Sequence, residues 1–112
     1  MKNLISIIQK KLKRGYQDDI DYTTMKKMIK SDPNIVVIDI RPRDEYSYGH
    51  LDGAINIPMQ EIENKIKYRV QNKSQVIIVY CRYGGRSRKV VNKLRKMGYC
   101  NVYNLIGGIE SV

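Results

Sequence analysis

Val76-Ile77-Ile78-Val79-Tyr80 runs straight into Cys81-Arg82-Tyr83-Gly84-Gly85-Arg86-Ser87, and this stretch decides the fold of the 112-residue chain. An unbroken apolar run with no polar alternation reads as a strand buried on both faces. Beyond it Val90, Val91, Leu94 and Met97 recur at helical spacing, and Gly98 stands where a left-handed C-terminal cap belongs. The spacing predicts a helix over 87–97. Strand, glycine loop and helix N-terminus follow one another without a break, and a cysteine opens the loop.

Each part of that arrangement acts on the thiol. A free cysteine has a pKa of about 8.5, so near neutrality most of it is the unreactive acid. Loop N–H groups turned inward form an anion nest, and a helix N-terminus adds roughly half a positive charge. Arg82 and Arg86 add full charges that do not titrate away. Gly84 and Gly85 are expected to supply a positive-φ turn and to keep side chains out of the cradle. The bland alternative is a small buried cysteine at a strand end, but packing gives no reason for the glycine pair or the flanking arginines. The loop therefore reads as a nucleophile held beside an anion site.

Outward from this unit, strands and helices alternate. Expected strands fall at 20–22, 35–40, 54–57 and 101–104. A helix through Met25, Met28 and Ile29 is expected to be capped by Thr23 or Thr24 and ended by Ser31-Asp32-Pro33. A short helix is expected over 44–48, and Ile62, Ile66 and Val70 line another through about Arg69. Such alternation implies an α/β fold with a mainly parallel central sheet of about five strands and helices on both faces. Cys81 would then lie at the carboxyl end of a strand, where open α/β sheets place their sites.

The chain carries 21 Lys and Arg against 11 Asp and Glu, unevenly placed. Residues 65–109 hold eleven basic residues and no acid, so a positive field is expected around Cys81. Nucleic-acid binding is the competing use of such charge, but no stacking motif or recognised module accompanies it. A single histidine and no clustered ligand set imply neither metal nor cofactor. Two cysteines do not make a disulfide framework, which favours a cytoplasmic location. Cys100 reads as a small apolar filler rather than a resolving thiol. Residues 1–15 form a separate unit: Leu4, Ile5, Ile8 and Leu12 share a helical face beside a basic run, and Gly15 ends the pattern. Packing of this amphipathic basic helix on its own domain (16–112) is the simplest reading; membrane-surface contact of 1–14 or a weak dimer rather than a monomer are the others. The apolar run at 4–8 is too short for a signal-peptide core or a membrane span.

Several motifs, in order, resemble the rhodanese domain family. Cys81 to Arg86 is similar to its cysteine, four residues, arginine loop; Val36-Val37-Ile38-Asp39-Ile40-Arg41 resembles its second strand with the Asp-x-Arg ending. Glu45-Tyr46-Ser47-Tyr48-Gly49-His50-Leu51-Asp52-Gly53-Ala54-Ile55-Asn56-Ile57-Pro58 resembles its E-x-x-x-GHI-x-GA-x-NIP signature, and Asn104-Leu105-Ile106-Gly107-Gly108-Ile109 its closing L-x-GG-I segment. The resemblance spans about residues 20–112. Two departures stand out: Tyr83 occupies a place where the family often has a small residue, and no tryptophan follows Gly107-Gly108.

The resemblance implies sulfur transfer. Cys81 would take the sulfane sulfur of thiosulfate or a low-molecular-weight persulfide and pass it, from a persulfide, to a thiol or protein acceptor or to cyanide. Arg82, Tyr83, Gly84, Gly85, Arg86 and Ser87 are the expected substrate-binding residues, with Asp39 and Arg41 in support. Arg86 and the loop amides would hold donor oxygens and the terminal sulfur. Ser87 is either a hydroxyl partner of the persulfide or, more simply, the cap of the helix. Asp39, Arg41 and Glu45 read as structural ion pairs, and His50 as structural rather than a base. Two other functions compete. A phosphatase or arsenate reductase of related fold would place arginine one residue later, where this chain has Ser87. A non-catalytic persulfide carrier or binding module would share the same loop.

Overall fold

The computed structural model describes residues 18–112, so the helix expected over 1–15 lies outside the described residues. Strands and helices alternate as β1 (Asp19–Ile20), α1 (Tyr22–Ser31), β2 (Val36–Asp39), α2 (Arg43–Tyr48), β3 (Ile55–Asn56), α3 (Ile62–Arg69), β4 (Ile77–Tyr80), α4 (Gly85–Lys96) and β5 (Val102–Leu105). Single 3-10 turns occupy Met59–Glu61, before α3, and Ile109–Ser111, after β5. The strands make one five-stranded sheet in the order β1-β5-β4-β2-β3, with every neighbouring pair parallel.

β4 sits at the centre because its residues are apolar on both sides of the pleat. Successive side chains of a strand point to opposite faces, and here each face finds its own core. Ile77, Val79 and Cys81 join Ile62 and Ile66 of α3 and Val90, Val91 and Leu94 of α4. Val76, Ile78 and Tyr80 join Met25 and Met28 of α1, with Leu51 and Tyr103. Full burial of a side chain such as Leu94 contributes ~1.5–3 kcal/mol, so the helical stripe of α4 holds the loop's downstream end against the sheet.

The structure corrects several local expectations. β1 lies at Asp19–Ile20 rather than 20–22 because Asp21, not Thr23 or Thr24, caps α1; its carboxylate accepts the Thr24 N–H at 2.8 Å. β5 starts at Val102 rather than at 101. α4 begins at Gly85 rather than at 87 and ends just before Gly98, whose φ of +102° provides the expected left-handed cap. Cys100 is exposed rather than a core filler, because the preceding Tyr99 takes the inward place and donates its hydroxyl to the Val70 carbonyl at 2.6 Å.

The charge asymmetry of the sequence is also partly closed in space. Arg88 meets Asp19 at 2.8 Å, Lys93 meets Glu63 at 2.6 Å, and Arg95 pairs with Asp18. The parallel topology brings α4, from the basic half, beside acids of the first half. Among the described residues, no helix is long and apolar enough to cross a membrane.

Candidate active site

The loop after β4 closes on itself around the Cys81 sulfur. Gly84 adopts φ +102°, a conformation that costs any other residue strain. It turns its N–H onto Cys81 Sγ at 3.1 Å. Gly85 does not share this role: its φ is not positive and it is already the first residue of α4. A Cβ there would meet nothing within 4 Å, so what Gly85 contributes is an open space rather than a turn.

Because α4 starts at Gly85, Ser87 falls on the buried side of its first turn, and the expected capping role fails. Gly84 occupies the cap position and no side chain caps the helix. Ser87 is fully buried, with its hydroxyl 3.3 Å from Cys81 Sγ, 3.1 Å from the Gly84 carbonyl and 2.5 Å from Asn104 Oδ1. Burial alone would push the Cys81 thiol up. Hydrogen bonds from the Ser87 hydroxyl and from the N–H groups of Ser87, Gly84 and Tyr83 outweigh it and hold the thiol below its ordinary value. The largest lowering contributions therefore come from aligned dipoles, not from the full charges of Arg82 and Arg86.

Those arginines sit at the rim. Arg82 is exposed, lies 3.2 Å from Glu110 and spreads its guanidinium over the Tyr83 ring at 5.1 Å from the centroid. Tyr83 is itself 65% exposed, so its ring lies at the surface and not beneath the buried sulfur. Arg86 is exposed and, among the described residues, has no ion-pair partner. The sulfur and its amide cradle are thus buried together, while both arginines of the loop are exposed.

Asp39 and Arg41 form a scaffold. Asp39, buried at the end of β2, accepts from the Arg41 backbone N–H at 2.9 Å and from its guanidinium at 2.7 Å. Arg41 in turn reaches the Gly49 carbonyl at 2.6 Å, and Asn56 Nδ2 donates to the carbonyls of both residues. The pair fixes the chain after β2 against the strand that carries Cys81, since Asp39 is in register with Tyr80. His50 is exposed, stacked on Tyr46 at 3.8 Å, with Nδ1 2.9 Å from the Tyr46 carbonyl, a structural position.

Two features escaped the sequence reading. The first is Asn104, buried in β5 and bonded to Ser87; its signal was a polar residue inside an otherwise apolar strand. The second is the clamp from the C-terminal segment. Ile109 N–H donates to the Cys81 carbonyl at 2.9 Å and Glu110 N–H to the Arg82 carbonyl at 3.1 Å. Gly108 lies so close beneath the loop that a Cβ on it would be 2.4 Å from both carbonyl oxygens.

A family model described as Rhodanese-like domain matches residues 21–112. The thiosulfate sulfurtransferase PspE of Escherichia coli (strain K12) is 37% identical over 75 residues, covering 67% of this chain and 71% of that protein. A tRNA uridine(34) hydroxylase of Erwinia tasmaniensis is 38% identical over 82 residues, covering 70% of this chain but 23% of that protein. Among solved structures, a rhodanese-like domain protein from Staphylococcus aureus matches with a TM-score of 0.75 at 26% identity, over 84% of this chain and 89% of that one.

Proposed function

This chain belongs to the rhodanese-like family, and on that premise we propose that it is a sulfurtransferase working through a persulfide on Cys81. The observation that carries the reading is the Cys81 sulfur itself. It is 1% exposed, accepts the Gly84 N–H at 3.1 Å and lies 3.3 Å from the Ser87 hydroxyl, with its ionised form favoured. A sulfur held this way is a better nucleophile than an ordinary thiol and a competent leaving group.

In the first half-reaction the Cys81 thiolate attacks the outer sulfur of thiosulfate. A new S–S bond forms, the donor's S–S bond breaks, and sulfite departs with its electron pair. The product is a Cys81 persulfide whose terminal sulfur keeps the negative charge. In the second, an acceptor thiolate or cyanide attacks that terminal sulfur, and Cys81 leaves as thiolate. Atoms and charge balance in both steps, and neither needs a proton from a general acid. Arg86 meets the donor's oxyanion at the mouth, and the loop amides hold the charge on the terminal sulfur. The acceptor is a thiol or a protein thiol.

A phosphate-transfer site would need its arginine one position later. There Ser87 turns inward against the sulfur, which supports the sulfur reading. Intact mass after incubation with thiosulfate, followed by cyanide, tests it. Wild type should gain one sulfur atom, released as thiocyanate, and Cys81→Ala should gain none. No adduct from thiosulfate or from glutathione persulfide would defeat the proposal.

A further inference from the structure

Ser87 Oγ carries one proton and has three acceptors within reach: Cys81 Sγ at 3.3 Å, the Gly84 carbonyl at 3.1 Å and Asn104 Oδ1 at 2.5 Å. A single hydroxyl cannot serve all three at once. Which one it serves depends on which way the Asn104 amide faces. That is set from the far side of β5, where Asn104 Nδ2 donates to Asp19 Oδ1 at 3.0 Å and so turns Oδ1 toward Ser87. Asp19 is in turn held by Arg88 of α4 at 2.8 Å. A continuous chain of contacts runs from the nucleophile across β5 to the edge strand.

We propose that Asn104, oriented by Asp19, is a positioning residue that sets where the Ser87 hydroxyl points: to Asn104 while the Cys81 sulfur is uncharged, and to the sulfur when it is anionic. The proposal rests on the persulfide reading, because that cycle alternates the two states. Sγ is anionic as it attacks and again as it leaves, but uncharged while it bridges to the terminal sulfur. Asn104 Oδ1 gives the Ser87 proton a place to rest during the bridging state. The hydroxyl rotates between its acceptors, and no proton is transferred. Turning to the sulfur leaves Oδ1 without its donor in a site where Asn104 is 1% exposed. Asn104 therefore opposes ionisation of Cys81 and moderates what Ser87 and the loop amides favour.

The charged groups around this chain of contacts are known by position. Asp18 and Asp19 lie on the β1 side, paired with Arg95 and Arg88 of α4. Arg82 faces Glu110 at the rim, Arg86 is exposed, and Asp39 with Arg41 ends β2. Tyr83 is exposed, and Tyr80 and Tyr103 belong to the core on the opposite face of the sheet from Cys81. The hydrogen bonds to the sulfur come from the loop N–H groups and the Ser87 hydroxyl, and only the hydroxyl can rotate, so the switch is read through Ser87.

The test is the pH dependence of iodoacetamide alkylation of the full chain, in a Cys100→Ser background so that Cys81 alone reports. Asn104→Leu removes the competing acceptor and should move the midpoint down by about one pH unit, ~1.4 kcal/mol. The same substitution made with Ser87→Ala should leave the midpoint of Ser87→Ala unmoved, a coupling that a merely structural role would not produce. Should Asn104→Leu fail to fold, Asp19→Ala frees the amide to turn its Nδ2 to Ser87, and the same downward shift with the same dependence on Ser87 is expected. An unchanged or raised midpoint, or a shift that persists undiminished without the Ser87 hydroxyl, overturns the proposal. Alkylation uses no sulfur donor. A protein that shows the coupled shift but forms no persulfide would refute the sulfurtransferase reading alone.

Discussion

Replacing Gly108 by alanine should damage both the stability of the protein and the ionisation of Cys81. Gly108 sits at φ 63° and ψ −160°, a region essentially reserved for glycine, which costs another residue about 1–3 kcal/mol. The added Cβ would lie 2.4 Å from the carbonyl oxygens of Cys81 and Arg82, against a closest ordinary approach of 3.0 Å. Backbone must therefore move by more than half an ångström, in the direction that stretches the Ile109 and Glu110 hydrogen bonds of 2.9 and 3.1 Å. Those bonds contribute roughly 0.5–1.5 kcal/mol each. The combined loss is about 2–6 kcal/mol, a large part of the ~5–15 kcal/mol that holds a domain folded. Urea unfolding should show a lower midpoint at unchanged slope. Alkylation of Cys81 in the folded variant should need a higher pH, because the loop amides no longer converge on the sulfur. A variant with the wild-type midpoint and the wild-type alkylation profile would refute the argument that Gly108 sets the loop.

Further outcomes follow from the same geometry. The alkylation midpoint of Cys81 should lie below that of an ordinary thiol, and Ser87→Ala should raise it. Because the folded-state pKa is the lower one, this group's stabilisation is fully present above the ordinary thiol pKa and is lost as pH falls through the folded value. The stability of wild type relative to Cys81→Ser, from urea unfolding at several pH values, should therefore grow as pH rises into the ordinary thiol range; a flat difference would contradict this. Arg86→Gln should raise the KM for thiosulfate by about 1.5- to 5-fold, the worth of one exposed charge. It should leave the unfolding midpoint unchanged, and an unaltered KM would remove Arg86 from donor binding.

The fold was legible where the signal is local and the burial two-sided. The apolar run of β4 and the helical stripe of α4 can be read without neighbours, and with them the place of Cys81 at a strand end. The weak spots share a physical cause. β1 is a two-residue edge strand, too short to show a period, and its end is set by the Asp21 cap. Glycine at a helix start looks like loop, so α4 was expected late, and Ser87 then looked like a cap. Once the helix begins at Gly85, the same serine faces the sheet. Asn104 and Gly108 act on the site from positions distant in sequence, and no local pattern ties them to Cys81. Ion pairs such as Arg88–Asp19 depend on the crossover topology and appear only once the strand order is known.

The clamp behind the loop has a consequence for how the site responds to its medium. In a trans peptide the carbonyl of one residue and the N–H of the next point in opposite directions. Ile109 and Glu110 hold the Cys81 and Arg82 carbonyls at the back, so the following N–H groups, including that of Tyr83, are turned the other way. The loop is thereby poled from behind, its polarity built into peptide planes. Exposed arginines lose their reach as ionic strength rises, with a Debye length of about 10 Å at 0.1 M, whereas buried dipoles in contact with the sulfur are screened far less. Salt should thus pull apart two processes that neutral dilute buffer leaves joined: capture of the donor, carried by rim charge, fades, and ionisation of the sulfur, carried by backbone, stays.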